Sequence, residues 1–369
     1  MLISVVIPAF NEEENITACL EALANQTLAR QEFEVIVVDN GSTDQTFRMA
    51  SKFKKRLPLR ILSQPRTSIS AARNRGASIA VSGMLAFLDA DCMTRPDWLQ
   101  KAILVAQRRT LWGAHYLVQK DASWVGLTWF RFQATEEEGH VSFIPGSCLF
   151  VHRTDFEELG GFDESMVTSE DVDLSLRAKW RGFAVVAHPP LAVYHEGTPR
   201  TLAGFFRQNR WHGRNVLPNF IANLPSTKNL GIVALTLFTF SMAGLTLIAL
   251  AAGFFWHHWA ISAVPVALLL LPPAMLSIFK TIQARDFAAA PALFLLYLVY
   301  LLARAASLRC SFFSRNHVKS ITGWRQTQRA IEPSRPSRPA AGSSRSGRIA
   351  LGRSKTAVSY VRSVSSRVR

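Results

Sequence analysis

Between Asn229 and Phe279 the chain runs for 51 positions without a charged side chain. A water-soluble core has no need of so long an uninterrupted apolar run. At ~1.5 Å per helical residue the stretch crosses a ~30 Å hydrocarbon layer twice, and His257-His258 marks the turn between the two crossings. A further uncharged stretch, Phe287 to Ala303, has 17 residues, which is at the lower limit for a third span. Residues 229–308 are therefore expected to form two to three transmembrane helices that hold the preceding part of the chain at a lipid bilayer.

The formal net charge of +16 suggests nucleic acid until it is divided by region. Residues 1–229 hold 25 Lys and Arg against 24 Asp and Glu, residues 230–308 three against one, and residues 309–369 14 against one. A folded unit of balanced charge has no electrostatic footprint for a nucleic acid, so that partner is set aside. The basic segment 309–369 is poor in large apolar groups and is expected to be largely disordered. The cysteines at 19, 92, 148 and 310 show no metal-type spacing and read as reduced thiols of a cytosolic compartment. Met1 leads straight into the short run Leu2 to Pro8, too short for a secretory signal, so the first domain is expected on the cytoplasmic side.

Upstream of the apolar region, short apolar runs alternate with helical patterns. Leu2 to Ile7 is a β-branched strand stopped by Pro8, and a helix carrying Ile16, Leu20 and Leu23 on one face follows. Phe33 to Val38 is a second strand, followed by a helix from Thr46 to Phe53; Arg60 to Leu62 is a short third. Ser70 to Ala77 is helical and leads to the strand Met84–Leu88. This alternation predicts βαβ units and a doubly wound, mostly parallel α/β sheet. Polar residues gather where its strands end, the side on which open α/β sheets bind ligands: Asn11 and Glu12, then Asp39, Ser42 and Asp44, then Asp89 and Asp91. Asp89 and Asp91, two apart on an extended chain, point to one side and are able to share a divalent cation. Capping of the following turn or helix is the alternative reading for these acids, and for Ser42 and Asp44. No Gly-rich phosphate loop occurs, which argues against dinucleotide oxidoreductases and P-loop enzymes.

The segments Val5–Glu12, Val37–Asp44, Ala72–Gly76, Leu88–Asp91, Gly160–Glu164 and Ser169–Leu174 together resemble, in order and spacing, the family-2 glycosyltransferases with a GT-A fold. The resemblance covers about residues 1–215. It implies a GT-A domain over 1–200, with a Rossmann-like nucleotide-binding half, and an enzyme that takes sugar from a nucleotide-diphosphate sugar. On that resemblance Asp39 contacts the nucleotide base, with Pro8, Ala9, Asn11, Glu12 and Ser42 beside it. Arg73 lies near ribose and pyrophosphate, and Asp89 and Asp91 hold ribose and a Mg2+ or Mn2+ ion. His195 completes the metal or diphosphate contact; an ordinary hydrogen-bonded loop histidine is the alternative. Breaking a sugar–phosphate bond builds charge on the leaving oxygen, which a fixed cation or arginine stabilises. An inverting transfer also needs a base across the sugar; Asp171 stands in that position, with Glu170 as second candidate. Both acids precede a helical run, where an N-terminal carboxylate is favourable in any case.

Gly146 and Ser147 fall where such enzymes meet their acceptor, expected to be lipid-linked or a glycan of the cell envelope. Residues 201–228, with Gln208, Arg210 and Trp211, read as an interfacial amphipathic helix. Gln208 stands one residue too close to Trp211 for the Gln-x-x-Arg-Trp signature of processive synthases, so single transfer is favoured over polymerisation. A catalytically silent membrane scaffold keeping the fold is the alternative outside the enzymes. The expected location is the inner membrane, multi-pass, with the catalytic domain cytoplasmic. Topology carries a conflict. Three crossings would place the tail outside, whereas its basic residues favour the cytosolic face. Ala260 to Phe279, with Pro265, Pro272 and Pro273, is the stretch suspected of not crossing.

Overall fold

The structure is a computed structural model and describes residues 2–119, 121–133, 138–166, 168–214 and 230–311. The expectations for residues 215–229 and for the tail beyond 311 lie outside the described residues. The strands are β1 (Ile3–Ala9), β2 (Phe33–Asp39), β3 (Leu59–Ser63), β4 (Met84–Leu88), β5 (Cys92–Met93), β6 (Thr110–Gly113), β7 (Leu117–Val118), β8 (Gly139–His140), β9 (Cys148–His152), β10 (Ala184–Ala187) and β11 (Tyr194–His195). The helices of the N-terminal part are α1 (Ile16–Ala24), α2 (Thr46–Ser51), α3 (Ile69–Ile79), α4 (Trp98–Leu104), α5 (Trp124–Gln133), α6 (Arg153–Leu159), α7 (Glu170–Trp180) and α8 (Leu202–Gly213).

Eight strands form one sheet in the order β3-β2-β1-β4-β9-β6-β10-β8. Strands β1 to β4, and the β6–β10 pair, run parallel. From β1 the chain winds outward through β2 and β3, then returns to place β4 on the other side of β1. That reversal is a topological switch point, and the crevice beyond the carboxyl ends of β1 and β4 is where such sheets bind ligands. Strand β9 enters antiparallel between β4 and β6, a departure from the doubly wound pattern. It pairs Cys148 with Leu88, so the turn Pro145–Ser147 that feeds it sits at the crevice end of β4.

The buried strands need no polar face, because helices cover both sides of the sheet. Along β1 the alternation divides the core: Ile3, Val5 and Ile7 pack with Ile16, Leu20, Leu23 and Trp98. Val6 points the other way, toward Ile36, Val38, Phe87, Phe156 and Phe162. Each large side chain so buried contributes roughly 1.5–3 kcal/mol. Helix α3 begins at Ser68, whose side chain accepts the Ala71 N–H at 3.2 Å. It lies close enough to the sheet that a Cβ on Gly76 would strike Val6.

Two expectations about element ends are corrected. Strand β1 does not stop at Pro8 but reaches Ala9; β4 pairs with β1 only as far as Val6, so on that side the missing Pro8 N–H breaks no ladder. The prolines do not interrupt the second apolar helix, which runs Ala263–Ala284. Pro265 falls in its first turn, where no donor is required, and Pro272 and Pro273 are carried inside, Pro273 buried. The third apolar helix, Ala290–Ser311, starts later than Phe287 and continues past Ala303. Arg304 is accommodated there against the Tyr300 ring at 5.1 Å. With the first, Leu230–Trp256, these are three helices long and apolar enough to span a membrane. Cys19, Cys92 and Cys148 are free and buried.

Candidate active site

At the switch point lies a cleft of about 520 Å³ walled by Pro8, Ala9, Phe10 and Glu12 at and beyond the end of β1, Asn40 after β2, and Asp89, Ala90 and Asp91 after β4. Arg66 to Ile69, the loop Glu164–Met166 and Trp211 close the remaining sides. Residues from six separate stretches of chain thus converge on one opening.

The loop after β1 is locked to the loop after β2. The Asn11 N–H donates to Ser42 Oγ at 3.0 Å, the Thr43 N–H to Asn11 Oδ1 at 2.8 Å, and the Glu12 N–H to Thr46 Oγ1 at 2.7 Å. Asn11 takes a left-handed φ of 55°, uncommon for a side chain with a Cβ. Asp39 is buried behind this lock and accepts from the Ser42 N–H and from Ser63 Oγ, both at 3.2 Å. It stands behind the cleft wall, with its neighbour Asn40 in the wall itself.

Beneath the cleft floor lies Arg73, 2 % exposed. Its Nη2 meets Asp89 Oδ1 at 2.6 Å and its Nη1 meets Glu170 Oε1 at 2.5 Å. Burial works against charge on this guanidinium, yet the Asp89 and Glu170 carboxylates hold it above its ordinary value. One arginine thereby ties the end of β4 to the first residue of α7. Ser169, just before α7, is also left-handed, with φ 66°, and this tight entry sets Asp171 against the Pro145–Ser147 turn. Asp171 Oδ2 accepts the Gly146 N–H at 3.0 Å and Oδ1 the Val172 N–H at 2.8 Å. A Cβ on Gly146 would come within 2.8 Å of the Arg73 guanidinium. Burial, and then the Glu170 charge, push the Asp171 carboxyl up to about 6. Burial likewise pushes Glu12 up to about 7, with Asp91 and Asp89 adding to it.

Donor atoms of Asp91, Cys92 and His195 lie within 4.8 Å of one another. His195 Nε2 is 3.5 Å from Asp91 Oδ2, its ring packs 4.8 Å from that of Tyr116, and among the described residues its buried Nδ1 has no partner. A Cβ on Gly197 would run into both Asp91 and His195, so the glycine keeps this space open. Burial holds the Cys92 thiol protonated, its pKa well above the ordinary value, which leaves a carboxylate and an imidazole as donors. That set fits a divalent cation of the Mn2+ or Mg2+ class. Asp89 is drawn instead to Arg73.

Of the residues nominated from sequence, Pro8, Ala9, Glu12, Asp89, Asp91 and Trp211 wall the cleft. Asp39, Arg73, Glu170, Asp171 and Gly146 are joined around it by the bonds described above. Ser147 is buried beside Gly146. Arg210, on the exposed side of α8, lies 6.0 Å from the Phe206 ring, and Gln208 is half-buried away from the wall. Sequence reasoning overlooked Arg66, whose guanidinium stacks 3.3 Å from the Phe10 ring. Its place just after β3 was the available signal, the same strand-end logic that picked the acids. It also overlooked Asn74, which holds the Glu164–Met166 loop through Phe162: Nδ2 donates to the Phe162 carbonyl at 2.8 Å and to Glu164 Oε1 at 2.9 Å, and Oδ1 accepts the Phe162 N–H at 3.0 Å.

Comparison with known proteins agrees with this geometry. The sequence matches the family description "Glycosyl transferase family 2" over residues 4–160 and "Glycosyl transferase family group 2" over residues 84–306, more than half of the chain. It is 31% identical over 205 residues to the glycosyltransferase AglE of Haloferax volcanii, covering 53% of this chain and 67% of that protein. It is 27% identical over 228 residues to a beta-monoglucosyldiacylglycerol synthase of Nostoc, covering 57% of this chain and 48% of that protein. Among solved structures it is similar in fold to the mannosyltransferase PcManGT of Pyrobaculum calidifontis, in complex with GDP-Man and Mn2+, with TM-score 0.56 and 16% identity over 85% of this chain and 88% of that one. A cleft at the β1–β4 switch point, acids from distant segments converging on it, and these matches make the chain a glycosyltransferase of family 2.

Proposed function

We propose that this glycosyltransferase inverts the anomeric centre as it moves a sugar from a nucleotide-diphosphate donor to an acceptor at the membrane surface. The observation that carries the proposal is the Arg73 bridge: it brings Asp89, on the donor side of the cleft, and Glu170-Asp171, on the far side, into one assembly. Asp171 is the base. Glu170 is spent on Arg73, whereas Asp171 is held only by N–H donors and has a proton affinity suited to work near neutrality. As the acceptor oxygen bonds to the anomeric carbon its proton passes to Asp171, and the sugar–phosphate bond breaks with its electrons on the nucleoside diphosphate. Asn40 faces the nucleotide with Asp39 behind it holding the Ser42 loop, Asp89 faces the ribose, and Asp91 with His195 would hold a divalent cation, for which the imidazole favours Mn2+ over Mg2+. Such a cation, when bound, neutralises the departing diphosphate. Arg66 adds positive charge in the cleft wall.

A membrane-proximal acceptor follows from the three apolar helices and from Trp211, which belongs to the cleft and also to α8, packed on the third of them. A lipid-linked or lipid acceptor of the cell envelope is the reading supported by the diacylglycerol named for the Nostoc relative. The catalytic unit is placed on the cytoplasmic side of the inner membrane, where nucleotide sugars are made. The test is to incubate the detergent-purified chain with a panel of nucleotide sugars, with and without Mn2+, and measure released nucleoside diphosphate and the anomeric configuration of the product. Metal-dependent release with inversion supports the proposal; retention of configuration refutes the role of Asp171.

A further inference from the structure

The third apolar helix, Ala290–Ser311, is accompanied along its length by helices of the catalytic unit. At its approach Asp286 meets Arg131 of α5 at 2.8 Å. Leu293 and Tyr297 pack on Phe132, and the Trp129 ring lies 5.5 Å from that of Tyr297 and 5.1 Å from that of Tyr300. Leu296 packs against Val125 and Phe205. Further along, Arg304 Nη1 lies 3.5 Å from the His212 carbonyl of α8, and a Cβ on Gly213 would come within 2.8 Å of Ser307 Cβ. From Asp286 to Ser307 is roughly 30 Å of helix, the full depth of a hydrocarbon core.

If this helix crossed the bilayer, α5 and α8 would be immersed with it. They carry Arg131, Arg207 and Arg210 on exposed positions, and charged side chains facing lipid are strongly disfavoured. The first two apolar helices present a different surface, with Leu247, Ile248, Phe254 and Phe255 exposed on one and Met275, Ile278 and Phe279 on the other. Asp286 follows the second helix and is already bonded to the catalytic unit, as the returning end of a hairpin must be.

We propose that Leu230–Trp256 and Ala263–Ala284 cross the bilayer as a hairpin, and that Ala290–Ser311 lies along the surface of the leaflet facing the catalytic unit, its apolar side groups at the headgroup boundary and α5 and α8 resting on it. The chain beyond residue 311 then continues on the catalytic side. This rests on the membrane-anchored reading above and resolves the conflict in the sequence: the stretch that does not cross is the third, not the proline-bearing second.

The test uses the full-length chain in sealed vesicles of phosphatidylethanolamine and phosphatidylglycerol, with epitope tags at the N-terminus, between His257 and His258, and at the C-terminus, probed by an impermeant protease. The N- and C-terminal tags are expected to be cut together from one side and the central tag from the other. A C-terminal tag that shares its side with the central tag overturns the proposal. Release of the chain by alkaline carbonate overturns instead the membrane reading on which it rests. Should the central insertion disturb folding, bimane on Leu295→Cys and on Ile248→Cys, both at exposed positions, gives an independent measure with depth-graded quenchers. Leu295 is expected shallow and Ile248 deep; equal depth refutes a surface helix.

Discussion

Replacing Arg73 by Met keeps a long side chain in its buried slot and removes only the charge. The side chains concerned are 2 % exposed for Arg73, 9 % for Glu170 and 25 % for Asp89, so water screens this bridge little. Removing one partner of a buried pair typically costs about 3–5 kcal/mol, because the other charge is left uncompensated, and here two carboxylates are left. For a domain of this size 1 kcal/mol corresponds to roughly 2–4 °C, so the unfolding temperature is expected to fall by roughly 6–20 °C. Differential scanning calorimetry in detergent measures it. Adding Glu170→Gln should restore part of the loss at neutral pH. A drop of less than about 2 °C would refute the claim that this charge joins the two halves of the site.

Asp171→Asn is expected to lower kcat by roughly 10²–10⁴-fold, as for loss of a general base, with donor KM unchanged. In the parent enzyme kcat should rise with pH through about 6 as Asp171 ionises, then level off; a profile flat from pH 5 to 8 would rule this base out. His195→Ala is expected to weaken Mn2+ binding by at least roughly 10–100-fold, the range seen even for groups that only support a ligand, read by titration of the Mn2+ paramagnetic resonance signal; unchanged binding would remove His195 from the metal set. Asn74→Ala gives up the three bonds that hold Phe162 and Glu164. About 1–3 kcal/mol of stability should be lost and the donor KM should rise, and a normal KM would show that the Glu164–Met166 loop does not need this anchor.

Much of the catalytic half was legible in the residues. The apolar runs that become β1, β2 and β4 end in acids or lead directly into them, and because strands of a parallel sheet all end at one edge, those acids had to gather there. The antiparallel strand β9 was not legible, since an apolar run of five residues carries no mark of direction, yet it is β9 that brings Gly146 to Asp89 and Asp171. The partner of Arg73 was equally hidden: Glu170 is 97 positions away in the chain, and only the packing of α7 against the sheet joins them.

The membrane part divides along the same line. Length and the absence of charge are local properties, so the chain by itself pointed to two to three membrane-length helices, the third stretch standing at the lower limit for a span. Which neighbours those helices keep is not local. Phe205, Gly213 and Arg131 meet the third helix through contacts of long separation, and those contacts rest on shape and close approach, which composition does not record. Tertiary structure therefore decided that Asp91 faces His195 while Asp89 turns to Arg73, and that the third apolar helix is lined by arginine-bearing neighbours, because each outcome depends on side chains brought together only when the whole unit is folded.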